Sequence, residues 1–251
     1  MNRMMIMALC LVLTSVSCTT AVGENKTGEF VTSVKGGNKI KKNVAVAEFT
    51  KIELRGGVDV VFRQTNGGKP VVTVVGRKQD VGHVRISSDG RTLVVTDKLQ
   101  QGWQFFNDDD DLKVYVSAPD LTGVSVIGSG DFDVAGKLDT DNLMVAVKGS
   151  GDVDMKNVIC DNAIVKVYGS GDVDIDNLVA QCKADVSVQG SGDVEIGFTH
   201  TGLVRCSVYG SGDVKLKGHV KDFRHEIKGS GEIDASNLAQ PTNPVGRVYG
   251  R

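Results

Sequence analysis

The amino-acid sequence predicts an all-β protein, a single-stranded right-handed parallel β-helix (β-solenoid) with coils of about 20 residues and a less regular β part at its amino end. Three observations carry this. The tetrad GSGD begins at Gly128, Gly149, Gly169, Gly190 and Gly210, and GSGE at Gly229, at spacings of 21, 20, 21, 20 and 19 residues. Apolar and polar residues alternate strictly on both sides of each tetrad, which is the period of a strand and not of a helix. Glycine makes up 31 of 251 residues and proline only 4, while 40% of the chain is apolar, so the sequence is rich in turns yet able to build a core.

Each coil can be read from the first glycine of its tetrad. Two residues before it stand Val126, Val147, Val167, Val188, Val208 and Ile227, and four before it Val124, Val145, Val165, Val186, Cys206 and His225. Four residues after it come Phe132, Val153, Val173, Val194, Val214 and Ile233, and six after it Val134, Met155, Ile175, Ile196, Leu216 and Ala235. These are the expected inward columns. Stretches such as Lys156-Asn157-Val158 and Asp176-Asn177-Leu178 form corners with a single apolar plug. A unit of this length cannot bury its own apolar face, so units must stack. At ~4.8 Å per strand, six coils make a rod of about 29 Å. The handedness follows from the twist preference of strand crossovers. A propeller needs blades of about 40 residues or more, and a sandwich has no reason to keep so constant a period. Arg247-Val248-Tyr249-Gly250 begins what reads as a seventh copy, and the chain ends inside it at Arg251.

Ahead of the coils, residues 1–17 place Arg3 before an apolar run from Met4 to Val12 and then small residues, the pattern of an export signal peptide. Ser15-Val16-Ser17-Cys18 resembles a bacterial lipobox with serine where leucine is usual, so Cys18 is the expected lipidation site. Residues 18–43 are polar and mostly aperiodic and read as a tether. The domain is expected over 44–251, divided into an irregular β part, 44–111, and the repeat coils, 112–251. In the irregular part, runs at 49–54, 58–62, 71–75, 84–87 and 93–96 are separated by Gly56-Gly57, Asn66-Gly67-Gly68 and Asp89-Gly90. Residues 54–60, LRGGVDV, read as a degenerate copy of the repeat.

The 29 basic and 31 acidic side chains leave a formal charge of −2, which argues against a nucleic-acid partner. The mature chain holds Cys160, Cys182 and Cys206, an odd number that does not make a disulfide framework. Cys160 and Cys182 fall at nearly equivalent corners, but a bridge is not the expectation. Cys206, in an inward column, is expected to be a buried thiol.

FTKIELRGGVDVVFRQ at 49–64, GRTLVV at 90–95 and the VxGSGDxxV copies from 124 onward resemble, in combination, the bacterial family called "putative auto-transporter adhesin, head GIN domain". The resemblance covers roughly residues 44–251. It implies an exported, often lipid-anchored β-helical protein, and its name favours binding over catalysis.

Three features are candidates for chemistry. Asp131, Asp152, Asp172, Asp193, Asp213 and Glu232 form one acidic column, and Asp133, Asp154, Asp174, Glu195, Lys215 and Asp234 a second beside it. Like charges one strand spacing apart repel. Either a hard cation such as Ca²⁺ or bonding of each carboxylate to the Gly-Ser-Gly backbone must offset that cost, and backbone bonding is the expected answer. Trp103, Phe105 and Phe106, followed by Asp108 to Asp111, make either a ligand-binding loop or a cap on the amino end of the core, the cap being preferred. Ile127, Lys148, Tyr168, Gln189, Tyr209, Lys228 and Tyr249 form an outward column in which Tyr168 and Tyr209 are candidate ligand contacts.

No catalytic or cofactor-binding residue is assigned. His83, His200, His219 and His225 are scattered, with His225 expected in the core, and no GxSxG, HExxH, P-loop or dinucleotide pattern occurs. The expected protein is therefore a non-enzymatic cell-envelope binder or adhesin, facing the periplasm or the cell surface, with a glycan or an envelope protein as ligand. It would touch the membrane through its amino-terminal lipid. A polysaccharide-active β-helical enzyme and a purely structural spacer are the alternatives. The sequence carries no signal of oligomeric state.

Overall fold

The structure, a computed structural model, describes residues 23–25, 29–33, 39–97 and 112–240. The alternation seen in the sequence is the burial pattern of the coils. After the glycine corner at 149–151, Val153, Met155, Val158, Cys160, Ala163, Val165 and Val167 are all buried. Alternation breaks where two consecutive side chains face solvent, at Lys156-Asn157 and at Asp161-Asn162. With the glycine corner these give three bends per coil, and the plugs Val158 and Leu178 seal the bend behind Asn157 and Asn177 at 0% exposure.

The long strands β13 (Val153–Gly169), β14 (Val173–Gly190), β15 (Val194–Gly210) and β16 (Val214–Gly229) each bend through a corner and pair in parallel with the next. β10 (Gly123–Gly128), β11 (Phe132–Asp139) and β12 (Asn142–Gly149) build the coils below them, and β17 (Ile233–Ala239) lies above. The register keeps like residues in columns: Val126 opposes Val147, then Val167, Val188, Val208 and Ile227. Where the pairing of β14 with β15 is interrupted between Leu178–Phe198 and Lys183–Leu203, the enclosed Thr201 hydroxyl bridges the gap. It donates to the Leu178 carbonyl at 3.1 Å and accepts from the Ala180 amide at 3.2 Å.

The glycine corner shows why the tetrad is GSGD. A Cβ on Gly149, whose φ is +148°, would lie 2.1 Å from the carbonyl oxygen of Gly128. One on Gly151 would lie 2.2 Å from the carbonyl oxygen of Gly130. Backbones of adjacent coils therefore touch directly, and the Ser150 and Gly151 amides both donate to the Gly128 carbonyl, at 2.8 and 3.1 Å. Between the two glycines the serine side chain points to solvent.

Stacking order differs from chain order at the amino end. β4 (Lys51–Gly56) and β5 (Asp59–Gln64) are the degenerate copy, with Gly56 opposite Gly128 and Val60 opposite Phe132. Beneath them lie β8 (Thr92–Asp97) and β9 (Lys113–Ala118), also parallel. The coil of residues 51–64 is thus sandwiched between one made later in the chain and the first GSGD coil.

In between, β6 (Val71–Arg77), the single turn α1 (Lys78–Val81) and β7 (Val84–Ser88) run out and back. β6 and β7 pair antiparallel to β9 and β8 and so end the parallel stack. Val72, Val74, Val81 and Val84 close the core there. Residues 71–88 take part in this closure; the aromatic loop expected to cap this end, 103–106, lies outside the described residues.

The expected tether is partly sheet. β3 (Lys39–Val44) pairs antiparallel to β6, β2 (Glu29–Ser33) to β3 and β1 (Gly23–Asn25) to β2. The open edge of β6 offers backbone partners, and Ile40 and Val44 pack against the core from alternate positions of a strand otherwise made of lysine and asparagine. Among the described residues, α1 is the only α-helix, and no helix is long and apolar enough to cross a membrane.

Two neighbouring substitutions separate backbone contact from side-chain chemistry. Gly171→Ala, which would put a Cβ 2.2 Å from the Gly151 carbonyl oxygen, is expected to cost roughly 1–3 kcal/mol or more through overpacking. Ser170→Ala, on an exposed side chain, should stay within about 0.5 kcal/mol. Urea unfolding of both variants measures the difference, and equal midpoints would refute the contact argument.

Candidate functional site

The first acidic column is a ladder of hydrogen bonds between coils. The Asp131 amide donates to Asp59 Oδ1 at 3.2 Å, Asp152 to Asp131 at 3.0 Å, and Asp172 to Asp152 at 2.8 Å. Above these, Asp193 donates to Asp172 at 2.7 Å, Asp213 to Asp193 at 2.7 Å, and Glu232 to Asp213 at 2.8 Å. Backbone bonding is therefore the use of this column, as the sequence suggested, but with a different partner. Each carboxylate takes the amide of the acidic residue one coil on, not its own Gly-Ser-Gly segment, whose serine and glycine amides are held by the preceding coil's glycine carbonyl. Asp59, missed in the sequence because GSGD is degenerate at Gly56-Gly57, is the first rung.

The second column has no such bonds to balance it. Asp154 lies opposite Asp133 and Asp174. Burial pushes its carboxyl above the ordinary range, and the charges of Asp133 and Asp174 add to the rise. Asp174 is raised by burial and then by Asp176 and Glu195. Asp131 is raised by burial as well, against the lowering effect of the Asp152 amide. Repulsion ends at Glu195, where Lys217 at 2.8 Å and Lys215 at 3.2 Å hold the carboxyl below its usual value. Lys215 is the one basic residue in this column. Among the described residues, no three His, Cys, Asp or Glu side chains are grouped to hold a metal ion.

The strands that run into the glycine corner present another face. Ile127, Lys148, Tyr168, Gln189, Tyr209 and Lys228 do form one column, in register. The structure separates its two tyrosines. Tyr209 is engaged: its hydroxyl donates to Glu226 at 3.2 Å, and Lys228, itself paired with Glu226 at 2.7 Å, sits 5.3 Å from the ring centre. Tyr168 lies half-buried between Lys148 and Gln189 of the flanking coils. Two outward columns run beside it. One holds Ser125, Ala146, Lys166, Ser187 and Ser207; the other holds Gly123, Met144, Ile164, Asp185 and Arg205. Met144 is 41% exposed.

The remaining candidates fall apart from these faces. Cys18, Trp103, Phe105 and Phe106 lie outside the described residues, as does the seventh repeat copy. His225 occupies its inward column but is exposed and stacks on Phe223 at 5.2 Å, because it belongs to the last described coil of the stack. Cys160 and Cys182 are not bridged. Cys160 is buried opposite Ala180, and Cys182 is exposed at the corner. Cys206 is a buried thiol, pushed up to about 12 by burial. A stacked pair that sequence spacing did not reveal, His200 and His219, lies at a corner with ring centres 6.3 Å apart.

The residues thus build an all-β solenoid of parallel coils, with a carboxylate ladder where the chain leaves the glycine corner and the Lys/Tyr column on the strands that enter it. The chain belongs to the family described as "Putative auto-transporter adhesin, head GIN domain", whose pattern matches residues 48–176 and 165–243. It is similar to the crystal structure of a "putative adhesin" of Bacteroides fragilis NCTC 9343, with 26% identity and a TM-score of 0.65, covering 79% of this chain and 97% of that one. The fold is also that of a "putative adhesin" of Parabacteroides merdae ATCC 43184, at 18% identity and a TM-score of 0.59, covering 79% and 96%. A "putative lipid binding protein" of Parabacteroides distasonis ATCC 8503 shares it too, at 17% identity and a TM-score of 0.52, covering 82% and 98%. No curated protein matches the chain.

The ladder predicts that Asp152→Ala, which strips the Asp172 amide of its acceptor, costs roughly 1 kcal/mol near solvent. Asp152→Asn retains an acceptor oxygen and should cost less than half as much. Chemical denaturation distinguishes the two, and identical losses would contradict the ladder's role.

The second column predicts a pH response. A carboxyl raised in the folded state binds its proton more readily there than in the unfolded chain, so stability increases as pH falls through the raised values. Opposing groups such as Glu195 and Asp234, which are lowered, lose their contribution only below the ordinary carboxylate range. The melting temperature should therefore hold or rise from pH 7 to about 5 before it falls. Asp154→Asn should raise it at neutral pH and flatten the rise. A steady fall from neutral pH in the wild type would contradict the repulsion.

Proposed function

We propose that this protein is an exported, lipid-anchored and non-enzymatic component of the bacterial cell envelope, whose coil stack serves as a rigid surface for adhesion. A glycan or another envelope protein is the ligand. Membership of an adhesin-named family supports export and binding. One observation carries the reading furthest. The repeated carboxylates, the most conspicuous reactive groups, serve as acceptors for backbone amides of adjacent coils. Glycoside hydrolysis instead needs one pair of carboxyls at a set separation across a bound sugar. What the coils leave for recognition is flat columns repeated along the stack, a geometry suited to extended or multivalent ligands.

Anchoring is expected through Cys18, with residues 19–22 leading into the first described strand. Labelled fatty acid should be incorporated into the wild-type chain and not into Cys18→Ala, which should move from the membrane to the soluble fraction. The binding role is tested by a glycan array and an envelope-protein pull-down run beside an activity screen on polysaccharides. Retention of a ligand without turnover is the expected result. Reproducible depolymerisation of any polysaccharide would replace this reading with the enzymatic one.

A further inference from the structure

We propose that the face around Tyr168 binds an anionic polysaccharide, with Lys148 and Lys166 holding its carboxylate or sulfate groups and a sugar ring lying on the tyrosine. This rests on the binding role above and names its ligand class.

Charge distribution points to the ligand. Three successive rungs of this face, Gly123-Ser125-Ile127, Met144-Ala146-Lys148 and Ile164-Lys166-Tyr168, contain two lysines and no carboxylate. The rungs on either side do carry acids, and both acids are neutralised within their own rung: Glu53 by Arg55, and Asp185 by Lys183. On the acidic side of the stack the cations are likewise paired, Lys113 with Asp59 and Lys215 and Lys217 with Glu195. Lys148, Lys166 and the nearby Arg205 have no carboxylate partner among the described residues. Two lysines thus stand on these three rungs with no acid on the rungs to neutralise them.

Register and shape add the sugar. Lys148 is directly opposite Tyr168, and Lys166 is two residues before Tyr168 on the same strand, opposite Ala146. Lysines thus flank Tyr168 on the adjacent coil and on its own strand, and Met144 and Ile164 stand in a neighbouring outward column. An aromatic ring offers a flat apolar face to the C–H face of a pyranose while its hydroxyl stays wet. Coils repeat at ~4.8 Å, close to the length of one residue in an extended polysaccharide. A chain laid along the stack would meet Lys148, Tyr168 and Gln189 on successive sugars. An open face of this kind suits a polymer, whereas small ligands are held in concave sites.

The experiment is affinity electrophoresis of the full mature chain in gels containing polygalacturonate or dextran sulfate. Neutral dextran and polyglutamate gels, and flotation with phosphatidylglycerol vesicles, serve as comparators. Retardation by at least one anionic polysaccharide, and not by neutral dextran, is expected. The dissociation constant should rise about tenfold or more in Lys148→Gln/Lys166→Gln and in Tyr168→Ser, as for other central contacts. Tyr168→Phe and Lys156→Gln, the latter at a corner away from this face, should behave as the wild type, and melting temperatures show that all the variants are folded. Equal retardation by polyglutamate would reduce the patch to simple charge and overturn the proposal, as would binding confined to vesicles. Binding of neutral glycans alone would also overturn it while leaving the adhesion role in place. Absence of any glycan binding, with a defined envelope protein bound instead, would do the same.

Discussion

Direct contact between the backbones of adjacent coils at the glycine corner is the constraint on which the rest depends. Two glycines in each tetrad leave no space for a Cβ, and one carbonyl receives two amides from the next coil. That close approach locks the register, because a slip of one residue would put a side chain where only a hydrogen fits. Once register is locked, every other position becomes a column. Valine faces valine inside, and carboxylate faces carboxylate outside. The acidic columns are thus a consequence of the stack, and their repulsion is a cost that the fold must offset locally.

It does so in two ways. The column nearest the corner turns each carboxylate into an acceptor for an amide that has no carbonyl above or below it, which converts a liability into a bond between coils. The neighbouring column tolerates raised carboxyls over its lower coils and then recruits Lys215 and Lys217 to end the run. These acids are committed to the scaffold or shielded by it, and a different surface is formed by the strands that enter the glycine corner. There, unpaired lysines and Tyr168 stand on rungs without acids.

The amino end answers a different demand. A parallel stack has a first coil whose inner face and strand edges would otherwise be open, and parallel growth invites further pairing. Reversing direction stops it. β6 and β7 run antiparallel to the last parallel strands, and their valines close the core. The chain reaches this arrangement by laying down the coil of residues 51–64 first and adding coils on both sides of it. The lysine-rich strand β3 then extends the sheet from β6.

The sequence by itself determined the coil: its period, its inward columns, its corners and the need for glycine. All of these are local patterns repeated six times, and repetition makes weak local signals unambiguous. It also identified Tyr168, Tyr209 and the acids as outward columns, because side-chain direction in a strand follows from counting by twos. Tertiary structure alone decided which neighbours those side chains meet. The stacking of residues 51–64 between the strands at 92–97 and 113–118 on one side and 123–139 on the other depends on pairing between edges far apart in the chain, for which no local pattern exists. The strands at 23–25, 29–33 and 39–44 were equally hidden, since polar edge strands acquire order from the partner edge rather than from their own periodicity. The carboxylates' true partners, and the difference between Tyr209, bonded to Glu226, and Tyr168, half-buried between Lys148 and Gln189, lie one coil away. They are separated in the chain by about twenty residues but in space by a single strand spacing.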